Sequence, residues 1–137
     1  VCYLFDGQHL WYSLPSGRVL CYPFARLEHD GVSYAKASWK PAADATEWPR
    51  ARLWRGLAVE NITQATANDI LRYSIRVLDS EGYQTILTVH DEIVVECAAA
   101  QSDATMRRMK TIMCEAPEWA SGLPLGVEIK TMQRYGK

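Results

Sequence analysis

The stretch Leu87-Thr88-Val89-His90-Asp91-Glu92-Ile93-Val94-Val95-Glu96 sets two adjacent carboxylates between two runs of Ile, Leu, Val and Thr. The flanks, Gln84 to Val89 and Ile93 to Glu96, read as buried strands, because short runs of β-branched and apolar residues pack well on a pleated surface. Only His90, Asp91 and Glu92 separate them, so residues 84–97 read as a hairpin with an acidic tip. An ionised carboxylate taken out of water without a partner is costly, and two side by side repel each other. A divalent cation removes that difficulty, since hard oxygen donors suit Mg²⁺. The plainer reading of the same three residues is a polar turn.

A second informative stretch lies upstream. Helix signals begin after Gly56 and run to Ser80, where Glu81-Gly82 stops them, giving a helix over 57–80. Ile62, Thr66, Ile70, Ser74, Val77 and Leu78 form its core stripe. Asn61, Gln64, Asn68 and Arg72 recur three or four apart and share another, amide-rich face. Taken alone, that face is a solvated helix side.

Together and in order, the two stretches resemble the family A DNA polymerases, the group of bacterial repair polymerase I and many phage replicases. Strand, His-Asp-Glu, strand is similar to that family's third motif. Glu60-Asn61-Ile62-Thr63-Gln64-Ala65-Thr66-Ala67-Asn68-Asp69-Ile70-Leu71 is similar to its helix of Asn, Gln and small residues. Leu14-Pro15-Ser16-Gly17-Arg18-Val19-Leu20-Cys21-Tyr22 resembles a stretch of phage-type members, which extends the likeness over nearly the whole chain. The resemblance implies a DNA-directed polymerase that uses two Mg²⁺ ions, primer-template DNA and a deoxynucleoside triphosphate. By it, Asp91 is a catalytic metal ligand and Glu92 its acidic neighbour near the metals. His90 matches the histidine that contacts the primer terminus. Gln64 and Asn61 match the amides that touch the minor groove of the newly formed pair. Asn61 departs from the pattern of the repair polymerases, lying three residues before Gln64 rather than four, with Glu60 in the other position. It also implies that Gln64 and the hairpin tip address one primer end.

Equally informative is what is missing. No segment carries the family's first motif, with the aspartate that bridges the metals, or its second, the Arg/Lys helix that binds the triphosphate. The chain holds about half of a catalytic site, and the isolated chain is expected to be inactive, weak in Mg²⁺ binding and in affinity for primed DNA. Arg50, Arg52 and Arg55, in a loop or helix entry with Trp48 and Trp54, are DNA-backbone contacts at best.

The bulk properties agree with a piece of something larger. One domain is expected from 137 residues. A net charge of −1 is unlike a free-standing nucleic-acid binder, which carries a basic excess. Cys2, Cys21, Cys97 and Cys114 are scattered without metal-ligand spacing and read as reduced thiols in a cytoplasmic protein of a bacterial or phage-infected cell. No membrane span is expected. The chain starts at Val1 without a secretory signal, and its last residues resemble the closing residues of phage and prophage members.

The remaining elements follow from turn chemistry. Asp6-Gly7, Pro15-Ser16-Gly17 and Asp30-Gly31 separate strands at Cys2 to Phe5, His9 to Leu14, Arg18 to Leu27 and Val32 to Trp39, an antiparallel meander over 1–40. Pro41 to Pro49 reads as a loop. Ser102 or Asp103 caps a helix over 102–116 with Met106, Met109 and Met113 inward, and Pro117 ends it. Leu125 to Ile129 alternates as a last strand within 124–132.

The expected fold is α+β, a mostly antiparallel sheet packed on two main helices, as the C-terminal palm portion of a phage- or prophage-type polymerase, whose partners include the rest of that polypeptide. Two other readings stay open: a catalytically inert nucleic-acid-binding module derived from a palm, and an unrelated metal-dependent phosphohydrolase using Asp91 and Glu92. The second lacks further ligating acids, since Asp69, Asp79 and Glu96 fit capping and surface solvation.

Overall fold

A computed structural model describes residues 1–36 and 48–136. The expected end of the fourth strand at Trp39 and most of the Pro41 to Pro49 loop lie outside the described residues. The architecture is α+β with antiparallel sheets and two helices. The chain forms two compact units, Val1–Thr66 and Ala67–Lys137, and among the described residues there are three small sheets rather than one.

The first unit holds two three-stranded antiparallel sheets. Strands β1 (Cys2–Phe5), β2 (Leu10–Ser13) and β3 (Val19–Tyr22) form one, in that order. Strands β4 (Arg26–Glu28), β5 (Gly31–Ala35) and β6 (Arg50–Leu53) form the other. The turn at Leu14-Pro15-Ser16-Gly17 closes as its residues dictate. Pro15 presets the first central dihedral, Gly17 takes φ +85°, and its N–H donates to Leu14 O at 2.9 Å. Asp6 works differently, accepting from the backbone N–H groups of Gln8 and His9 and from the Trp11 indole at 2.8, 2.6 and 2.7 Å. The Trp11 bond first, then the two backbone bonds, lower the Asp6 carboxyl to about 2.

The single strand expected from Arg18 to Leu27 is two, in different sheets. Pro23 offers no N–H to a ladder and Phe24 turns at φ +49°, so the chain changes sheet there. A second correction concerns β6, expected as loop or helix entry. Its pairing with β5, Val32 to Leu53 through Ala35 to Arg50, is non-local and leaves no local signature. Around these sheets a core of Tyr12, Leu14, Tyr22 and Tyr34 packs with Leu57, Ile62 and Ala65 of helix α1 (Arg55–Ser80). Tyr12 stacks on Tyr22 at 5.1 Å and Tyr22 meets Tyr34 edge-on at 5.0 Å. Burial, then the Tyr22 contact, pushes the Tyr12 phenol up to about 12.

In the second unit, Leu78 of α1 and Ile112 of helix α2 (Ser102–Cys114) are completely buried, joined by Met109. Ile93, Val95, Tyr83 and Ile129 pack against them. The methionine stripe is therefore partly right: Met109 is buried, Met106 and Met113 are half-buried, and Ile112 is the center. Neither Ser102 nor Asp103 caps α2. A 3₁₀ turn over Ala99–Gln101 feeds straight into the helix, whose cap, Gln101, makes no side-chain bond. Leu125, Val127 and Ile129 alternate with exposed neighbors as a strand would, yet 124–132 forms no strand, because it has no ladder partner among the described residues. Alternation reports one covered face, not pairing.

Helix α1 stops as its sequence directs. Tyr83 N donates to Leu78 O at 3.0 Å, Gly82 N donates to Asp79 O at 2.9 Å, and Gly82 takes φ +83°. Tyr83 then packs on the core that contains Leu78, completing the motif. Nothing lies within 4 Å of a Cβ added at Gly82, so substitution there tests backbone conformation alone. Gly82→Ala is expected to destabilize the unit by about 1–2 kcal/mol, while Gly82→Asn, which tolerates the left-handed region, costs less. Chemical denaturation of the two variants checks the order.

Candidate active-site residues

Strands β7 (Gln84–Val89) and β8 (Glu92–Glu96) pair antiparallel from Gln84 opposite Glu96 to Val89 opposite Glu92. That register leaves His90 and Asp91 as a two-residue turn. Turns this short need a positive φ to match the twist of the strands. His90 supplies it at φ +54°, a conformation histidine tolerates better than most residues. Asp91 and Glu92 are thus fixed side by side on a paired hairpin, with His90 beside them.

The hairpin is less buried than its composition predicts. Ile86 is 53% and Leu87 41% exposed, because a two-stranded sheet has one face on the core and the other open. Ile93 and Val95 face the core. A bulge at Ile86, which lies between Thr85 opposite Val95 and Leu87 opposite Val94, has no partner across the ladder. His90, Asp91 and Glu92 are exposed. Carboxylates in water cost little, so burial gives Asp91 and Glu92 no need of a cation. What remains is donor chemistry: two hard oxygen ligands on a rigid turn.

Those donors fit Mg²⁺ in kind and fall short in number. Among the described residues no three His, Cys, Asp or Glu side chains form a metal-binding group. Glu92 is also engaged, its Oε2 accepting the Tyr135 hydroxyl at 3.0 Å. That bond, followed by desolvation and the carboxylate's charge, holds the Tyr135 phenol above the ordinary tyrosine range. Asp91 makes no such bond among the described residues. Tyr135 lies 43 positions from Glu92, and nothing in the sequence signals the contact.

The amide residues separate. Gln64 is exposed, with Nε2 donating to Glu60 Oε1 one turn back at 3.1 Å, and Asn68 and Arg72 are exposed as well. Asn61 is half-buried and donates to the Tyr22 hydroxyl at 3.0 Å, a partner brought by a distant strand. It is therefore not part of the open face. Asn61 and Gln64 belong to the first unit, and His90, Asp91 and Glu92 to the second.

The arginines are also sorted by the fold. Arg50 donates to Ser33 Oγ at 2.7 and 2.9 Å and to Phe24 O at 3.0 Å, with Glu28 at 3.8 Å. Arg52 pairs with Asp30. Both are tied within the chain. Arg55 has no such tie among the described residues.

Compared with known proteins, the chain is 36% identical over 136 residues to a DNA polymerase of Bacillus phage SP02, matching 98% of this chain. This chain is similar to part of a DNA polymerase. It covers 21% of that protein. It is also 33% identical over 86 residues to DNA polymerase theta of Caenorhabditis elegans, across 60% of this chain and 5% of that protein. The chain thus spans about a fifth and a twentieth of the lengths of these relatives. No protein-family model and no solved structure matches it. No described helix is long and apolar enough to cross a membrane.

Proposed function

We propose that this chain is a palm portion of a phage- or prophage-type family A DNA polymerase, acting on primer-template DNA and deoxynucleoside triphosphates. The observation that carries the reading is the 36% identity to a phage DNA polymerase over nearly the full chain. The acidic turn and the exposed amide on α1 are consistent with it.

Synthesis joins the primer 3′ oxygen to the α-phosphorus of the nucleotide, breaks the bond to pyrophosphate and releases the hydroxyl proton. When bound, Mg²⁺ neutralizes charge on the attacking and leaving oxygens. In this reading Asp91 and Glu92 hold it in part, and a further carboxylate comes from the rest of the polypeptide. Their contribution is rigidity: the β7–β8 ladder fixes the turn, and the Tyr135 bond restricts Glu92. Asp91, free of such a bond, offers both oxygens. His90 stands next to them and contacts the primer terminus. Gln64 leaves Glu60 to donate to the N3 or O2 acceptor that every Watson–Crick pair presents at nearly the same minor-groove position. An amide placed there checks pair geometry without reading sequence.

Primer extension tests this with the full-length protein that carries the chain. It is expected to extend a primed template with Mg²⁺, while the purified 137-residue chain incorporates nothing. Gln64→Ala should slow extension about tenfold and leave the thermal midpoint unchanged, because an exposed donor is removed rather than a packed one. A full-length protein unable to extend any primed template overturns the reading and leaves the inert module in its place.

A further inference from the structure

The end of β6 and the start of α1 place an unusual pair on the surface of the first unit. Trp54 is 59% exposed, although burying an indole ordinarily repays the cost of ordering it. Its ring is not adrift. A Cβ built on Gly56 would lie 1.7 Å from the Trp54 ring, so the indole rests directly on the glycine backbone. Only a residue without a side chain allows that approach. The six-membered part of the ring is thus held while the residue as a whole stays more than half exposed.

Next to it, Arg55 has no hydrogen bond or ion pair with a described residue, unlike Arg50 and Arg52. The first turn of α1 carries no acidic side chain, so the 26-residue helix does not itself offset its positive end. Glu60, further along the same helix, is engaged by Gln64. An exposed indole, an exposed guanidinium and a helix start with no carboxylate in its first turn match a base with its phosphate.

We infer that Trp54, seated on Gly56 beside Arg55, is a stacking platform for one unpaired base of single-stranded DNA, with the neighboring phosphate on Arg55. The occupant is a single strand because stacking needs a base whose face is not already covered by a neighbor. The choice of DNA rests on the proposed polymerase function while the platform stands on the tryptophan's geometry, so loss of oligothymidylate binding and loss of primer extension are read separately.

The test uses the 137-residue chain with its five tryptophans replaced by 5-fluorotryptophan. Trp54→Phe identifies the Trp54 fluorine resonance. Oligothymidylate is expected to move that resonance, and an abasic oligomer of equal length and charge is expected to leave it in place. Gly56→Ala is the decisive variant: the new Cβ forces the indole off its seat, so affinity for oligothymidylate falls about tenfold. The fold should not suffer, because alanine favors the helix over glycine and the displaced ring is exposed. Arg55→Ala should weaken binding and reduce the salt slope by about one phosphate contact. A Trp54 resonance unmoved by about 1 mM oligothymidylate, one moved equally by the abasic strand, or wild-type affinity in Gly56→Ala overturns the inference.

Discussion

With Asp91 replaced by Asn, the full-length protein that carries this chain is expected to lose templated synthesis by about a thousandfold or more, roughly 4 kcal/mol of barrier. The amide keeps the shape of the carboxylate and loses the charge that a hard cation requires. Folding should be untouched, because Asp91 is exposed at the turn and makes no bond that the amide would break. Single-turnover extension with saturating nucleotide is the measurement, with circular dichroism as the control for fold. Wild-type turnover would remove Asp91 from any metal-binding role. Glu92→Gln should cost less, since its amide oxygen can still accept the Tyr135 hydroxyl.

Leu78→Ala should produce the largest loss of stability. Leu78 is completely buried, packed with Ile112 and Met109 where α1 meets α2, and truncation removes apolar area and leaves a void. About 3 kcal/mol is expected, a fall of more than about 10 °C in the midpoint of the second unit. Leu27→Ala, at a side chain 86% exposed, should lie within about 0.5 kcal/mol of wild type. Thermal unfolding followed by calorimetry separates the two. A change below 1 kcal/mol at Leu78 would contradict the packing described for this unit.

Local chemistry made part of this fold readable from the chain. The helix over 57–80 is α1 with two more residues at its start, its stripe through Ser74 and Leu78 is the buried one, and Gly82 ends it. The hairpin is likewise in place, with His90 and Asp91 at its turn. Non-local contacts hid the rest. Strand β6 forms only because β5 lies beside it, and Leu125 to Ile129 looks like a strand but has no partner among the described residues. Asn61 reads as a free amide until Tyr22 arrives from β3. Exposure of the acidic turn escaped the sequence for a different reason: apolar composition says a strand has a covered face, and not that both faces are covered.

The bulge at Ile86 bears on how the hairpin could vary over evolutionary time. Strict alternation would set Thr85 and Leu87 on one side, yet their partners Val95 and Val94 face opposite ways, so Ile86 absorbs a change of phase. A chain one residue shorter at this point could keep every cross-strand pair, the inward Ile93 and Val95, and the acidic turn. The strand therefore holds a spare position, where a deletion can be accepted without rotating the carboxylates away from whatever they serve.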